Sequence, residues 1–253
     1  MTILVLLIFI IIIIVILFIY ITRKICIVEP ESFIYDSKIN GPTITIIGTT
    51  HGNEPVGYHA IKELINRLNT KDIILKRGKL ILIPIVNYCG FRLNTRNSIL
   101  YPDINRMYTN KNTTSIINKT ILKYAEQSNF LLDFHEGWGY HGNSSSIGST
   151  ITPSLTYDSN QIAVIMKDSV NRTITDNIKK FIIRTDDIQL LKDKQNYMIK
   201  TNVKGTLSTY MDNCKKNYIL IEISGQNSIQ PLELRMNQGR IFIESVLSYY
   251  QII

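Results

Sequence analysis

Four short apolar runs set the strongest constraint on how this 253-residue chain can fold. They are Thr43 to Gly48, Lys79 to Val86, Phe130 to Phe134 and Tyr218 to Ile223, each rich in β-branched or aromatic residues and short enough for a buried strand. Pro84, near the end of the second run, argues for a bulge or an edge there. Between the runs lie stretches of helical period. Pro55 to Leu68 repeats Val56, Ala60, Ile61, Leu64, Ile65 and Leu68; similar patterns cover 113–127, Ser159 to Lys180, and Pro231 to about Tyr250. Strands that alternate with helices predict an α/β domain with a central mixed, mostly parallel sheet flanked by helices. Residues 181–217 are polar and irregular and predict no element.

Ahead of these runs, Ile3 to Ile21 is apolar throughout except for Tyr20, and about 20 such residues suffice to cross a hydrocarbon core. No basic residue precedes the run and no small-residue cleavage site follows it, so it reads as a single-pass N-terminal anchor and not as a signal peptide. Arg23 and Lys24 follow the span and no Lys or Arg precedes it, which puts the next domain on the cytoplasmic face. The chain thus divides into an anchor, 1–24, a linker or first strand, 25–41, and one folded domain, 42–253. The net charge of +8 is scattered, with no basic run beyond pairs such as Lys179-Lys180, and this excludes nucleic acid as a partner. Cys26, Cys89 and Cys214 are far apart and odd in number, so no disulfide framework is expected. Cys26 reads as an inert thiol or an acylation site beside the membrane. Asn-x-Ser/Thr sequons at Asn112, Asn118, Asn143 and Asn171 matter only if the domain faces a lumen.

The reactive side chains gather where the apolar runs end, which in open α/β sheets is where ligands bind. After the first run, His51 and Glu54 stand three residues apart and could reach one metal ion; the alternative is a structural turn capped by Thr50 or Asn53. The loop Asn87 to Tyr108 holds Arg92, Arg96, Asp103, Asn105 and Arg106, guanidinium groups suited to a carboxylate in a chain that elsewhere prefers Lys. Asp133, His135 and Glu136 close the third run, and Asp133 shares a strand face with His135. His59 and His141 read as packing or surface histidines. Glu222 interrupts the fourth run, where an unpaired carboxylate is costly to bury, so it belongs to a site.

These residues resemble the zinc carboxypeptidase (M14-like) superfamily, and within it the succinylglutamate desuccinylase/aspartoacylase branch. The likeness rests on His51-Gly-Asn-Glu54-Pro, the Asn87…Arg96…Asp103-Ile-Asn105-Arg106 loop, Asp133-Phe-His135, and Glu222 in Ile-Glu-Ile. It implies one Zn²⁺ ion held by His51, Glu54 and His135, with Glu222 as general base and Arg96 stabilising the oxyanion. Asn105 and Arg106 would clamp a substrate carboxylate, and Asp103 would orient His51. The implied substrate is a small N-acyl amino acid; a peptide C-terminus is the alternative. An inactive membrane-tethered binding module is a third reading, disfavoured because ligands, base and clamp are all present. The spacing from Arg96 to Arg106 is long for aspartoacylases, which keeps Arg92 as an alternate for the oxyanion. Tyr197 and Tyr210 are candidates for the mobile tyrosine of carboxypeptidases, and the 31 residues after Glu222, read as one helix, leave room for a peptidase.

Overall fold

Side chains alternate across a strand, so each apolar run has one face for each layer of helices. The computed structural model describes residues 2–108, 113, 115–143, 146–184 and 205–253. In it the runs become β2 (Thr43–Gly48), β3 (Lys79–Ile83), β4 (Phe130–Gly137) and β7 (Asn217–Ser224). Three shorter strands join them: β1 (Phe33–Asp36), β5 (Thr150–Pro153) and β6 (Ile182–Ile183). Among the described residues the sheet order is β1-β3-β2-β4-β7-β5-β6. Pairing is parallel from β3 through β2 and β4 to β7 and between β5 and β6, and antiparallel where β1 meets β3 and β5 meets β7. The sheet is therefore mixed and mostly parallel, as expected.

One face carries Ile44, Ile46, Leu80, Leu82, Phe130, Leu132, Phe134, Ile219 and Ile221 into the larger core. That core is completed by α2 (Val56–Asn69), α5 (Tyr157–Asn171) and α7 (Leu232–Tyr249). The other face carries Ile47, Ile81, Ile83, Leu131 and Tyr218 against α4 (Ile116–Gln127) and α6 (Leu207–Asn213). Toward the carboxyl ends of β4 and β7 this second face changes from apolar to polar, and there it bears Asp133, His135 and Glu222.

Of the two readings of 25–41, linker or first strand, the segment holds β1, an edge strand. Several other expectations change. Pro84 lies just beyond β3 and leaves its ladder intact. The polar loop after β3 contains α3 (Tyr88–Leu93), capped by the Asn87 side chain, which accepts from Gly90 N–H at 2.9 Å. The helix expected to reach Lys180 ends at Asn171, whose amide bonds both backbone groups of Phe181, at 2.8 and 2.9 Å, and turns the chain into β6. Cys26 and Cys89, read as separate thiols, form a disulfide with Cα atoms 4.6 Å apart, within the usual range. Sequence distance concealed this pair: the end of α1 (Thr2–Cys26) packs on α3. Helix α1 is long and apolar enough to cross a membrane, and its apolar residues from Ile3 to Ile21 are exposed.

Candidate active site

The loop after β2 makes a tight approach to α3. A Cβ on Gly52 would lie 1.9 Å from the Gly90 carbonyl carbon, so only glycine fits between His51 and Asn53. Thr49 at the strand end adopts φ 57°, a left-handed conformation that is an outlier for a β-branched residue. This bend aims both His51 and Glu54 at β4. His51 Nδ1 lies 2.9 Å from Glu54 Oε1, His135 Nδ1 lies 2.9 Å from Glu54 Oε2, and the two Nδ1 atoms are 3.1 Å apart.

The far nitrogen of each imidazole meets an aspartate. His51 Nε2 donates to Asp103 Oδ1 at 3.2 Å, and His135 Nε2 donates to Asp133 Oδ2 at 3.3 Å. These bonds impose the tautomer in which both Nδ1 lone pairs face the Glu54 carboxylate. Electron pairs converging at such distances repel unless a cation lies among them. Two tetrahedral zinc ligands at about 2.0–2.1 Å from the ion stand roughly 3.3 Å apart, close to the observed histidine separation. The trio is buried, and its donor set fits zinc.

Asp133 also accepts from the Tyr218 hydroxyl at 2.9 Å, inside the second core. Burial alone would lower His135's proton affinity, but Asp133 and Glu54 together push it well above the ordinary histidine value. Burial pushes the Glu54 carboxyl up, yet the two imidazoles outweigh it and hold the group far below the carboxylate range. Asp103 is likewise depressed, by His51 and Arg96 against its own burial.

Glu222 pairs in register with His135 on the neighbouring strand and shares its face. Burial, with the charges of Glu54 and Asp133, raises its carboxyl to about 8, opposed by His135 and Arg184. Glu136 points to the other face, where burial raises it to about 7 although Arg235 donates to its Oε1. It serves the buried Arg235 and contributes its backbone N–H to Glu54 Oε2 at 3.1 Å.

Arg96 reaches back over the trio, donating to Asp103 Oδ2 at 2.9 Å and to Glu54 Oε1 at 3.4 Å. Arg92, the alternate, is exposed on α3 and does not line the cavity. Asp103 caps the short turn Ile104–Arg106, accepting from Asn105 N–H at 2.9 Å. Asn105 Oδ1 accepts from Leu207 N–H at 3.0 Å, and Arg106 donates to the Asn105 carbonyl at 2.9 Å. His51, Glu54, His135, Arg96, Asn105, Arg106 and Glu222 all line one cavity of about 600 Å³, a size typical of small-molecule sites.

Other candidates fall elsewhere. His59 sits on α2 near Arg235, and His141 faces the Ser146 carbonyl at 3.2 Å. Tyr210 lies against the second core with its hydroxyl donating to Glu126 at 3.2 Å, outside the cavity lining, and Tyr197 lies outside the described residues. Sequence reasoning missed Gln226, whose amide donates to Glu54 Oε1 at 3.0 Å and to the Glu136 carbonyl. Its position four residues after Glu222 was the available signal. Trp138, Thr152 and Arg184, also in the lining, carried no such signal.

With this geometry the chain can be set beside known proteins. Residues 40–250 match the succinylglutamate desuccinylase/aspartoacylase catalytic domain, and the chain belongs to that family. No match was found among curated protein sequences. Among solved structures, product-bound cell shape determinant Csd4 from Helicobacter pylori is similar at TM-score 0.68 and 18% identity, over 89% of this chain and 56% of that one. The same protein in its mDAP-bound form, described as a D,L-carboxypeptidase, gives TM-score 0.65 and 19% identity over 84% and 52%. A succinylglutamate desuccinylase/aspartoacylase from Rhodobacter sphaeroides gives 0.61 and 18% over 89% and 60%. At these identities the likeness is one of fold, and the chain spans little more than half the length of these relatives.

Proposed function

We propose that the chain is a zinc-dependent hydrolase that cleaves an amide bond adjacent to a free carboxylate, with N-acyl amino acids as substrates. One observation carries this reading. A His51–Glu54–His135 trio fit for zinc, a carboxylate on the neighbouring strand and a guanidinium-amide loop open onto the same cavity. Zinc held by the trio would supply Lewis acidity, to a water molecule and to the scissile carbonyl. Glu222, in register with His135, takes the proton from the attacking water and passes it to the leaving nitrogen. Arg96 stabilises the negative charge that develops on the carbonyl oxygen. Asn105 and Arg106 hold the substrate carboxylate, and Asp103 and Asp133 fix the two imidazole tautomers.

A second reading, removal of a C-terminal residue from a peptide, uses the same groups. It is favoured by the similarity to Csd4, solved with a bound tripeptide and with mDAP. Metal analysis of the purified chain, with assays on N-acetyl-aspartate, N-acetyl-glutamate and a panel of C-terminal peptides, separates the two. Turnover of the acylated amino acids with one zinc per chain supports the first; turnover confined to peptides replaces it with the second.

Helix α1 tethers the domain to a membrane in this reading. Two signals compete over the face. Arg23 and Lys24 favour the cytoplasmic side, whereas the Cys26–Cys89 disulfide favours an oxidising space, because cytosolic thiols are kept reduced. We give the disulfide more weight, since both half-cystines are buried between α1 and α3.

A further inference from the structure

Helix α1 leaves the domain at the edge of the sheet where the cavity opens. Two pairings fix this. Strand β1 runs antiparallel to β3, with Phe33 opposite Leu82 and Asp36 opposite Lys79, so the chain coming from α1 enters the sheet at the carboxyl end of β3. Cys26, the last residue of α1, is bonded to Cys89 on α3, the helix that follows that same strand end. His51, Glu54, His135 and Glu222 lie near or just past the carboxyl ends of β2, β4 and β7, which run parallel to β3 and so share this edge. From Ile3 to Ile21, α1 itself stands clear of the domain with its side chains exposed.

The distances are short. Cys26 is five residues beyond Ile21, where the apolar stretch ends, and at about 1.5 Å per residue a helix covers that interval in about 8 Å, close to the depth of one headgroup layer. On the domain side, a Cβ on Gly52 would strike Gly90, the neighbour of Cys89, and Gly52 follows His51. These steps bring the attachment point within roughly 12 Å of His51. With α1 across a bilayer, the reaction centre stands no farther than about 20 Å from the hydrocarbon.

The segments around the cavity mouth meet this depth with apolar side chains. Leu93 on α3, Ile99 and Leu100 in the loop between Arg96 and Asp103, and Trp138 and Ile147 in the cavity lining are all exposed. Exposure alone does not decide the matter, because Ile74 and Leu155 at the opposite edge are exposed too. The point of attachment decides it. One edge is held at the headgroups, and the other lies up to a strand length, roughly 25 Å, farther away. Tryptophan, with its amphipathic ring, is favoured at headgroup depth.

We propose that the carboxyl edge of the sheet is a membrane-docking surface, which turns the cavity mouth toward the headgroups of the bilayer that α1 crosses, and that the substrate is an N-acyl amino acid whose long acyl chain stays in that bilayer. The amide and carboxylate of such an amphiphile sit among the headgroups, at the depth of the mouth, while the acyl chain holds the molecule there. Hydrolysis adds one water, breaks the amide C–N bond, and releases a fatty acid to the bilayer and an amino acid to the water. This rests on the hydrolytic reading and on α1 as a membrane span.

The test reconstitutes the full chain in phosphatidylcholine vesicles and checks that alkaline carbonate does not release it. Trp138, the chain's single tryptophan, then reports depth independently of turnover. A spin label on the lipid headgroup should quench its fluorescence strongly and a label at mid-chain weakly. Leu93→Asp combined with Ile99→Asp should reduce the quenching, whereas Leu155→Asp, at the far edge, should not. In the same vesicles N-palmitoyl-glutamate should turn over about 10²-fold faster than N-acetyl-glutamate at equal bulk concentration, because enzyme and substrate share one surface. No quenching by the headgroup label, or release of the chain by carbonate, overturns the docking surface. Equal rates for the two substrates overturn the membrane-held substrate. Quenching without hydrolysis of either leaves the surface standing and sinks the hydrolytic reading, and hydrolysis of both without quenching does the reverse.

Discussion

Glu222 combines burial with a cluster of like charges, and both disfavour its ionised form. Its carboxyl is raised from 4.5 to about 8, so folding binds a proton there. A group raised in this way stabilises the fold fully below its unfolded value and loses that contribution as pH climbs through the folded one. Glu222→Gln should therefore leave the Tm of metal-free protein almost unchanged near pH 4.5 and raise it by about several °C at pH 9. The same variant should retain zinc and lose about 10²–10⁴-fold in turnover if the carboxylate is the general base. A Tm difference independent of pH would contradict the burial argument, and full activity would remove Glu222 from the mechanism. The Asp133–His135 bond makes a separate claim. Asp133→Asn should weaken zinc binding by about 10- to 100-fold, and Tyr218→Phe, which deletes only a hydroxyl behind it, by less. Chelator competition measures both, with circular dichroism as the check on folding.

Elements differ in how clearly the residues announce them. Strands β2, β3, β4 and β7 are dense in Ile, Leu and Phe because both of their faces are covered, and their carboxyl ends were legible for the same reason: a His or Glu cannot end such a run without a purpose. Strands β5 and β6, four and two residues long, are too brief to show a period, so the cavity's Arg184 end was invisible in the sequence. The overlong helix expected over 159–180 has a local cause. Ile174 and Ile178 continue its apolar spacing, but Asn171 uses its side chain to close onto Phe181, a tertiary choice that periodicity does not encode. Asn171→Ala should remove both bonds and lower Tm by roughly 2–6 °C, and amide exchange should accelerate first in β6 and its flanks. Uniform acceleration across β2 and β4 would mean that the clasp stabilises the whole sheet. Two sequons lose their glycosylation reading on the same structural grounds: Asn171 is occupied by this clasp, and buried Asn118 donates to the Ile104 carbonyl at 3.0 Å.

For the whole molecule, the disulfide ties the apolar helix α1 to the loop that leads to Arg96. Cys89 lies on α3, whose Asn87 cap and Gly90 carbonyl shape the stretch up to Arg96, and the Arg96 carbonyl accepts from Gly52 N–H at 3.3 Å inside the His51–Glu54 turn. Helix α1, α3 and the His51–Glu54 turn thus form one mechanically connected path. If the domain faces an oxidising space, the pair forms and the path is covalent; on the cytoplasmic face it is a pair of thiols and the path depends on packing alone. Alkylating intact membranes with a mass-tagged maleimide under denaturing, non-reducing conditions distinguishes these states. One tag per chain, on exposed Cys214, rising to three after reduction, places the domain on the oxidising side. Three tags without reduction place it with the cytoplasm, where Arg23 and Lys24 point. In that case Cys89→Ser should leave activity unchanged. On the oxidising side the same substitution should slow hydrolysis, through the position of Arg96, before it reduces zinc content.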